Sequence, residues 1–201
     1  MGSITLTCES IEGEYGMSFA SSSLSNYLKL LGSAKPAPGG GSAASYVAAL
    51  GFTLLEKVAV ISQHKTKSLF KKEIQTARLL SKKALALSDQ DAKAYEAVIK
   101  TYQIKALTDG AKRARRRKID RALGASFEVP FALLQTVKKG EVLLKALFER
   151  CEGAITSDLE VADHFFEAAA ESAHHLAHSN LEYIKDEKLK AQLSGKMKGL
   201  E

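Results

Sequence analysis

The segment Lys35-Pro36-Ala37-Pro38-Gly39-Gly40-Gly41-Ser42, with the apolar run over residues 43–61 behind it, places a glycine loop at the start of a long helix. Each proline fixes its own φ and pushes the preceding residue out of helical geometry, so the approach is stiff. The glycines let the backbone come close to another group without a Cβ in the way. Ser42 is an expected N-cap, and the free N–H groups of the helix start would meet an anion or a polarised carbonyl. The competing reading of a Gly-Gly-Gly-Ser run is a flexible linker, but stiff prolines before it and an apolar helix directly after it argue against that.

A second stretch is Asp89-Gln90-Asp91-Ala92-Lys93-Ala94-Tyr95. Asp91 and Tyr95 are four apart and share a helix face. A partly desolvated carboxylate can have its pKa raised and act as a proton shuttle; judged on spacing alone, capping of a helix by Asp89 or Asp91 is the simpler reading. A third is basic: Lys112, Arg113, Arg115, Arg116, Arg117, Lys118 and Arg121. Nucleic acid would suit such a run, yet Ala111, Ala114, Ile119 and Ala122 alternate with it at helical spacing and no aromatics are interleaved. That pattern fits a solvated helix face, with a polyanionic small molecule as a further option because arginine holds carboxylates bidentately. Glu171-x-x-His174, with His178 one turn on, has the spacing of carboxylate-bridged di-metal bundles. Those need a second such motif, and the sequence has none, so the histidines read as a helix flank and no metal is expected.

Helices must position these groups. The 201 residues suffice for one domain with a sizeable core, and 45% hydrophobic with 26% charged residues is ordinary for a folded soluble chain. Only three prolines occur, so long helices are permitted elsewhere. Cys8 and Cys151 show neither metal-ligand nor disulfide spacing, and no secretory signal is visible, so a reduced cytoplasmic setting is the expectation. The run over residues 43–61 is long enough to suggest a membrane span, but it contains Glu56 and Lys57 and reads as a buried core helix.

The apolar spacing predicts helices over residues 24–31, 42 to about 62, and 66–104, the last either broken at residues 89–91 or continuous there. Thr108-Asp109-Gly110 is a turn and cap signal. Helix is then expected over 111–127, with Pro130 bending or restarting it as far as Gly140, and a shorter helix over 141–150. Thr156 or Ser157 would cap a helix running to about 184 whose core row is Leu159, Ala162, Phe166, Ala169, Ala173 and Ala177. A polar terminal helix follows from about 185 to 193. No alternating strand pattern occurs. The expected fold is all-α: an antiparallel bundle of about six to eight helices over residues 21–201, preceded by an arm or tail over 1–20. A helix apolar nearly all round is hard for one chain to cover, so a homodimer is expected.

Taken together, the pieces resemble the cyclodeaminase/cyclohydrolase family, which comprises the C-terminal domain of formiminotransferase-cyclodeaminase and free-standing relatives such as methenyltetrahydrofolate cyclohydrolases. The resemblance runs from about Leu24 to Leu193. It rests on Pro36-Ala37-Pro38-Gly39-Gly40-Gly41-Ser42-Ala43-Ala44, Asp89 through Tyr95, Arg115, Val129-Pro130, Ser157-Asp158-Leu159-Glu160-Val161-Ala162, and Asn180-Leu181-Glu182-Tyr183-Ile184-Lys185-Asp186. It implies a dimeric, cytosolic, all-helical enzyme that acts on the one-carbon unit of a tetrahydrofolate derivative. The reaction would be loss of ammonia from 5-formiminotetrahydrofolate or hydrolysis of the methenyl ring, with no metal and no cofactor besides the folate itself.

Asp91 falls at the family's catalytic acid position. The resemblance further implies Gly39, Gly40, Gly41 and Ser42 against the pterin or one-carbon unit, and Lys105 and Arg115 on the glutamate carboxylates. Asp158 would accept from pterin N–H groups, and Tyr95 and Asn180 complete the substrate-binding set. The chain departs from the family at several points. Gln103-Ile104-Lys105 replaces Leu-Pro-Lys, Cys151-Glu152 replaces Gly-Asn, Leu176 replaces an asparagine, and Glu56-Lys57 replaces Ser-Met. If Leu176 and Glu152 line the site, they remove an amide and add a negative charge there. The alternative is therefore a helical binding or regulatory protein that keeps the scaffold without the catalysis; a metalloprotein and a nucleic-acid binder are more distant readings.

Overall fold

The computed structural model describes residues 18–66 and 70–200. Among these there are six α-helices and no strand: α1 (Leu24–Leu31), α2 (Gly40–Thr66), α3 (Lys71–Tyr102), α4 (Asp109–Phe148), α5 (Ser157–Tyr183) and α6 (Glu187–Lys198), with 3₁₀ turns at Phe19–Ser21 and Ala154–Thr156. Helices α2 to α5 pack in a ring, α2 on α3, α3 on α4, α4 on α5 and α5 back on α2. Their short connections make each neighbour antiparallel. The α1 segment closes one end, and α6 lies against α4 and α5. Cys8 and positions 1–17 of the expected arm lie outside the described residues.

Local chemistry sets the helix ends. Ser23 caps α1 by accepting from the Asn26 N–H at 3.3 Å, Thr108 caps α4 from Ala111 at 3.2 Å, and Asp186 caps α6 from Leu189 at 3.0 Å. Ser42 does not cap α2. The helix starts earlier, with the Ala43 N–H already bonded to the Gly39 carbonyl at 3.0 Å, and the Ser42 hydroxyl is engaged elsewhere. Thr156 precedes α5 without a side-chain cap bond.

Of the two readings of residues 89–91 the continuous helix holds, and the expected stop at Gly140 is absent. The α3 helix runs through Asp89-Gln90-Asp91 because both carboxylates find partners across the fold instead of capping their own helix. The α4 helix passes through both Pro130 and Gly140 as one 40-residue element. Gly140 is a contact point and not a stop: a Cβ there would lie 2.4 Å from Phe52 and 3.0 Å from Phe166. Gly51 on α2 faces the same Phe166 ring, with its would-be Cβ at 2.7 Å. Small residues thus let α2 and α4 close on the Phe52–Phe166 pair, whose ring centroids are 4.8 Å apart at the centre of the core.

The predicted α5 row is fully buried at all six positions from Leu159 to Ala177. On α1 only Tyr27 is buried, while Leu24 and Leu28 stay exposed, because α1 docks through one side onto the start of α2. The α2 helix is long and apolar enough to cross a bilayer by length and composition alone, and half of that window is buried inside the bundle. Leu50 on α2, Leu79 on α3 and Val142 on α4 remain exposed by 53%, 68% and 73%.

Candidate active site

The glycine loop brings the start of α2 against the middle of α3. The first-turn N–H groups of a helix have no intrahelical acceptor. Ser42 gives its N–H to Asp91 Oδ2 at 3.0 Å, so a carboxylate from α3 sits on the N-terminus of α2. That approach requires glycine at position 41, because a Cβ there would lie 2.2 Å from Asp91 Oδ1. Behind the contact the Ser42 hydroxyl lies between Tyr27 Oη of α1 at 3.1 Å and Ser88 Oγ of α3 at 2.6 Å, all in buried surroundings. Tyr27 stacks on Tyr46 with centroids 4.1 Å apart, and Phe19 meets Tyr27 edge-on. Asp89 pins this lid: it accepts the Phe19 N–H at 2.6 Å and the Ser18 hydroxyl, while Tyr46 donates to the Phe19 carbonyl.

Asp91 opens onto a cavity of about 520 Å³. One wall is the loop Pro36, Ala37 and Gly39 to Gly41. The next is a single α3 stripe of Asp91, Tyr95, Val98, Ile99 and Tyr102, at the three- and four-residue steps that align side chains on a helix. Leu123, Ser126 and Pro130 of α4 and Leu176, Ser179, Asn180 and Tyr183 of α5 complete it. Pro130 carries no N–H for the Ser126 carbonyl, so the one gap in the α4 ladder falls on this wall. Asn180 Nδ2 donates to Ser126 Oγ at 3.4 Å. Burial raises the Asp91 pKa above the ordinary carboxylate value, and the Ser42 N–H only partly opposes it. An acid that keeps its proton to higher pH than usual, beside a cavity with an apolar and tyrosine lining, can protonate a leaving nitrogen or, once ionised, take a proton from water.

A second buried carboxylate has the opposite tuning. Asp120 takes Arg116 as a bidentate partner, with Nε at 3.1 Å, and accepts the Lys185 N–H at 2.8 Å. Burial alone would raise its pKa, but the Arg116 guanidinium and the backbone N–H groups of Lys185 and Asp186 outweigh it and hold the group below the usual range. Arg116 also donates to the Tyr183 carbonyl at 2.9 Å. The basic run therefore anchors the end of α5, and with it one cavity wall.

Of the residues singled out from sequence, the cavity gathers Gly39, Gly40, Gly41, Asp91, Tyr95 and Asn180, with Ser42 directly behind. Arg115 stands at the edge, its Nη2 donating to the carbonyl of Tyr102 at 2.6 Å. Lys105 is exposed in the α3–α4 connection and does not line the cavity.

Asp158 is not part of this cavity. It lies in the first turn of α5 and pairs with Lys57 Nζ at 2.6 Å. Lys57 is about 24 Å along α2 from Gly41 at 1.5 Å per residue, so Asp158 belongs to the far end of the bundle. Of the departures, Leu176 does line the cavity, whereas Glu152 is exposed, Cys151 is buried against Ser62, and Glu56 pairs with Arg78. Tyr102 and Tyr183 were legible as stripe neighbours of Asp91 and Asn180. Tyr27 and Ser88 act through contacts between helices and gave no local signal. His174, His175 and His178 line a separate opening of about 570 Å³ between α4, α5 and α6, and among the described residues no three His, Cys, Asp or Glu side chains converge on a metal position.

The family model that matches is described as formiminotransferase-cyclodeaminase and spans residues 23–199. A formimidoyltransferase-cyclodeaminase of Sus scrofa is 29% identical over 182 residues, covering 88% of this chain and 34% of that protein. The chain thus spans about a third of the length of the formimidoyltransferase-cyclodeaminases it matches. A methenyltetrahydrofolate cyclohydrolase of Methylorubrum extorquens is 28% identical over 144 residues, 69% of each chain. The crystal structure of a formiminotetrahydrofolate cyclodeaminase from Thermotoga maritima superposes with a TM-score of 0.79 at 23% identity, covering 90% of this chain and 88% of that one, and shares the fold.

Gly41→Ala should cost about 1–3 kcal/mol in denaturant unfolding by forcing Asp91 and α2 apart; Gly40→Ala, with open space at its Cβ, should be close to neutral. A raised carboxylate pKa makes ionised Asp91 a burden on the fold, so its stability contribution is present below about pH 4 and is lost as pH rises through the folded pKa. Asp91→Asn should therefore unfold at higher denaturant than the parent at neutral pH, with the gap closing towards about pH 4.

Proposed function

Because the chain belongs to the formiminotransferase-cyclodeaminase family, we propose that it is a folate-dependent one-carbon enzyme, a formiminotetrahydrofolate cyclodeaminase or a methenyltetrahydrofolate cyclohydrolase, with Asp91 as its acid–base group. The observation that carries the reading is the Asp91 carboxyl: its pKa raised by burial, held by the Ser42 N–H against the start of α2, and part of the cavity lining.

In the deaminating direction N10 attacks the formimino carbon while the Asp91 carboxyl gives its proton to the imine nitrogen. The carboxylate then takes the N10 proton and returns it to the amino group, which leaves as ammonia as the N5–carbon–N10 methenyl cation forms. One proton is consumed, and the carboxylate left behind faces a cation until solvent reprotonates it. In the hydrolytic direction the same carboxylate takes a proton from the water that adds to the methenyl carbon and returns it to N5 as the N5–carbon bond breaks, while the hydroxyl proton passes to solvent and the formyl group stays on N10. Tyr95, Tyr102 and Tyr183 offer ring faces and hydroxyls to a flat pterin, with Asn180 beside them. Arg115, with donors beyond the one given to Tyr102, and Lys105 would meet the glutamate carboxylates outside.

Leu176 favours one alternative, a binding or regulatory protein on the same scaffold. It presents an apolar side chain to the cavity where the family carries an amide. The exposed Leu50, Leu79 and Val142 on an otherwise well-packed bundle support a homodimer.

Titration with 5-formyltetrahydrofolate should show binding, and an absorbance assay should show formation or loss of the methenyl form. Asp91→Asn should lower kcat by about 10²- to 10⁴-fold and leave that binding in place. Binding without turnover in the parent would favour the regulatory reading, and absence of binding would overturn both. Sedimentation should give twice the chain mass; a monomer at micromolar concentration would remove the dimer.

A further inference from the structure

Ser42 is held from two sides. Its hydroxyl meets Tyr27 Oη of α1 at 3.1 Å and Ser88 Oγ of α3 at 2.6 Å, and the three side chains belong to residues no more than 2% exposed. Its N–H, pointing the other way, reaches Asp91 Oδ2 at 3.0 Å. Ser88 lies one turn before Asp91 on α3, so the Ser42–Ser88 contact and the Ser42–Asp91 contact clamp the start of α2 onto α3 at adjacent points. Tyr27 closes the clamp from α1, and its ring is fixed between Phe19 and Tyr46. None of these hydroxyls lines the cavity.

We propose that Tyr27 and Ser88 are positioning residues for Asp91: by gripping the Ser42 hydroxyl between α1 and α3, they hold the Ser42 N–H on the carboxylate. Their importance to turnover rests on the reading above, in which Asp91 is the reacting acid; the grip itself does not. Loosening it lets the start of α2 slide on α3 and withdraws the Ser42 N–H, the one hydrogen bond among the described residues that stabilises the ionised carboxylate. Asp91 then keeps its proton to still higher pH. Among the described residues, the titratable groups around Asp91 are Tyr27 from α1, Asp89, Tyr95 and Tyr102 from its own helix, and Tyr183 across the cavity on α5; the α4 lining residues bring none, and Arg115 of that helix stands at the rim on the Tyr102 carbonyl. Tyr46 of α2 bonds to the Phe19 carbonyl and not to Ser42, so it serves as a control within the same aromatic group.

The test is carboxyl NMR of the full chain, with the Asp91 signal identified by its loss in Asp91→Asn. Tyr27→Phe, which keeps the ring, and Ser88→Ala should each raise the Asp91 midpoint by about one pH unit, the worth of a hydrogen bond to a charged group. Tyr46→Phe should leave it in place. Unchanged midpoints in both clamp variants, or an equal rise in all three, would overturn the proposal, the latter by showing general loosening. The alkaline limb of the kcat–pH profile for deamination, where loss of the Asp91 proton ends turnover, should move up with the midpoint. A midpoint that moves while the limb stays would keep the grip and remove Asp91 as the reacting acid.

Discussion

One contact organises this end of the molecule: the carboxylate of Asp91 set on the N-terminus of α2. A helix start offers N–H groups without acceptors and the positive end of the macrodipole, and both favour an anion. Burial disfavours it, and here burial prevails, since the pKa is raised despite the Ser42 N–H. The local sequence follows from the need for that contact. Gly41 has no Cβ because the carboxylate occupies its place, and the hydroxyl of Ser42 faces inward to Tyr27 and Ser88. The bend through Pro36 and Pro38 delivers the chain to this point, and Asp89 ties down the Phe19 segment that covers the tyrosines.

Asp91 and Asp120 show how partners decide what a buried carboxylate is for. Asp120 is buried too, yet its pKa is lowered, because a guanidinium and two backbone N–H groups compensate its charge. Removing such a partner would strand a buried charge, which is the costly way to break an ion pair. Asp91 has a single neutral donor among the described residues, the Ser42 N–H, and lines the cavity. The first arrangement fixes the end of α5 against α4. In the proposed chemistry the second would serve as the proton donor, because surroundings that drive two carboxylates apart in pKa suit one to a structural and the other to an acid–base role.

Much of this was legible in the chain, and the exceptions share a cause. Glycine-loop chemistry and the Asp91–Tyr95 face are local patterns, and both lie in the cavity. The role of Ser42 was misjudged because capping is a local rule, whereas its hydroxyl is claimed by residues fifteen positions before and forty-six after it. Whether Asp89 and Asp91 break their helix is open in the sequence for the same reason: their partners, Ser18, Phe19 and Ser42, lie far away in the chain. Gly140 looked like a stop, but the Phe52 and Phe166 rings require its missing side chain. Asp158 sits in a motif that resembles the family's, yet α5 carries it to the opposite end of the bundle from Asn180, where Lys57 neutralises it. The Lys57–Asp158 and Glu56–Arg78 pairs also explain how charged residues fit on an apolar helix: each charge lies at the bundle surface with an opposite partner.

The cavity's charge arrangement bears on direction of reaction. In the proposed deamination the Asp91 carboxyl would start protonated, which suits a site lined by Val98, Ile99, Leu123 and Leu176. Afterwards it would be an anion whose only direct donor among the described residues is the Ser42 N–H, and the methenyl cation would be its natural counter-charge. The lining side chains offer no cation of their own for that role: Arg116 is committed to Asp120, and Arg115 stays at the rim on the Tyr102 carbonyl. Leu176 sharpens the effect by removing a polar group that would have screened the pair. A site of this kind stabilises the charge-separated product only while the cation is present, so ionisation of Asp91 and formation of the methenyl ring would be coupled in the proposed chemistry, and the apolar wall would strengthen that coupling.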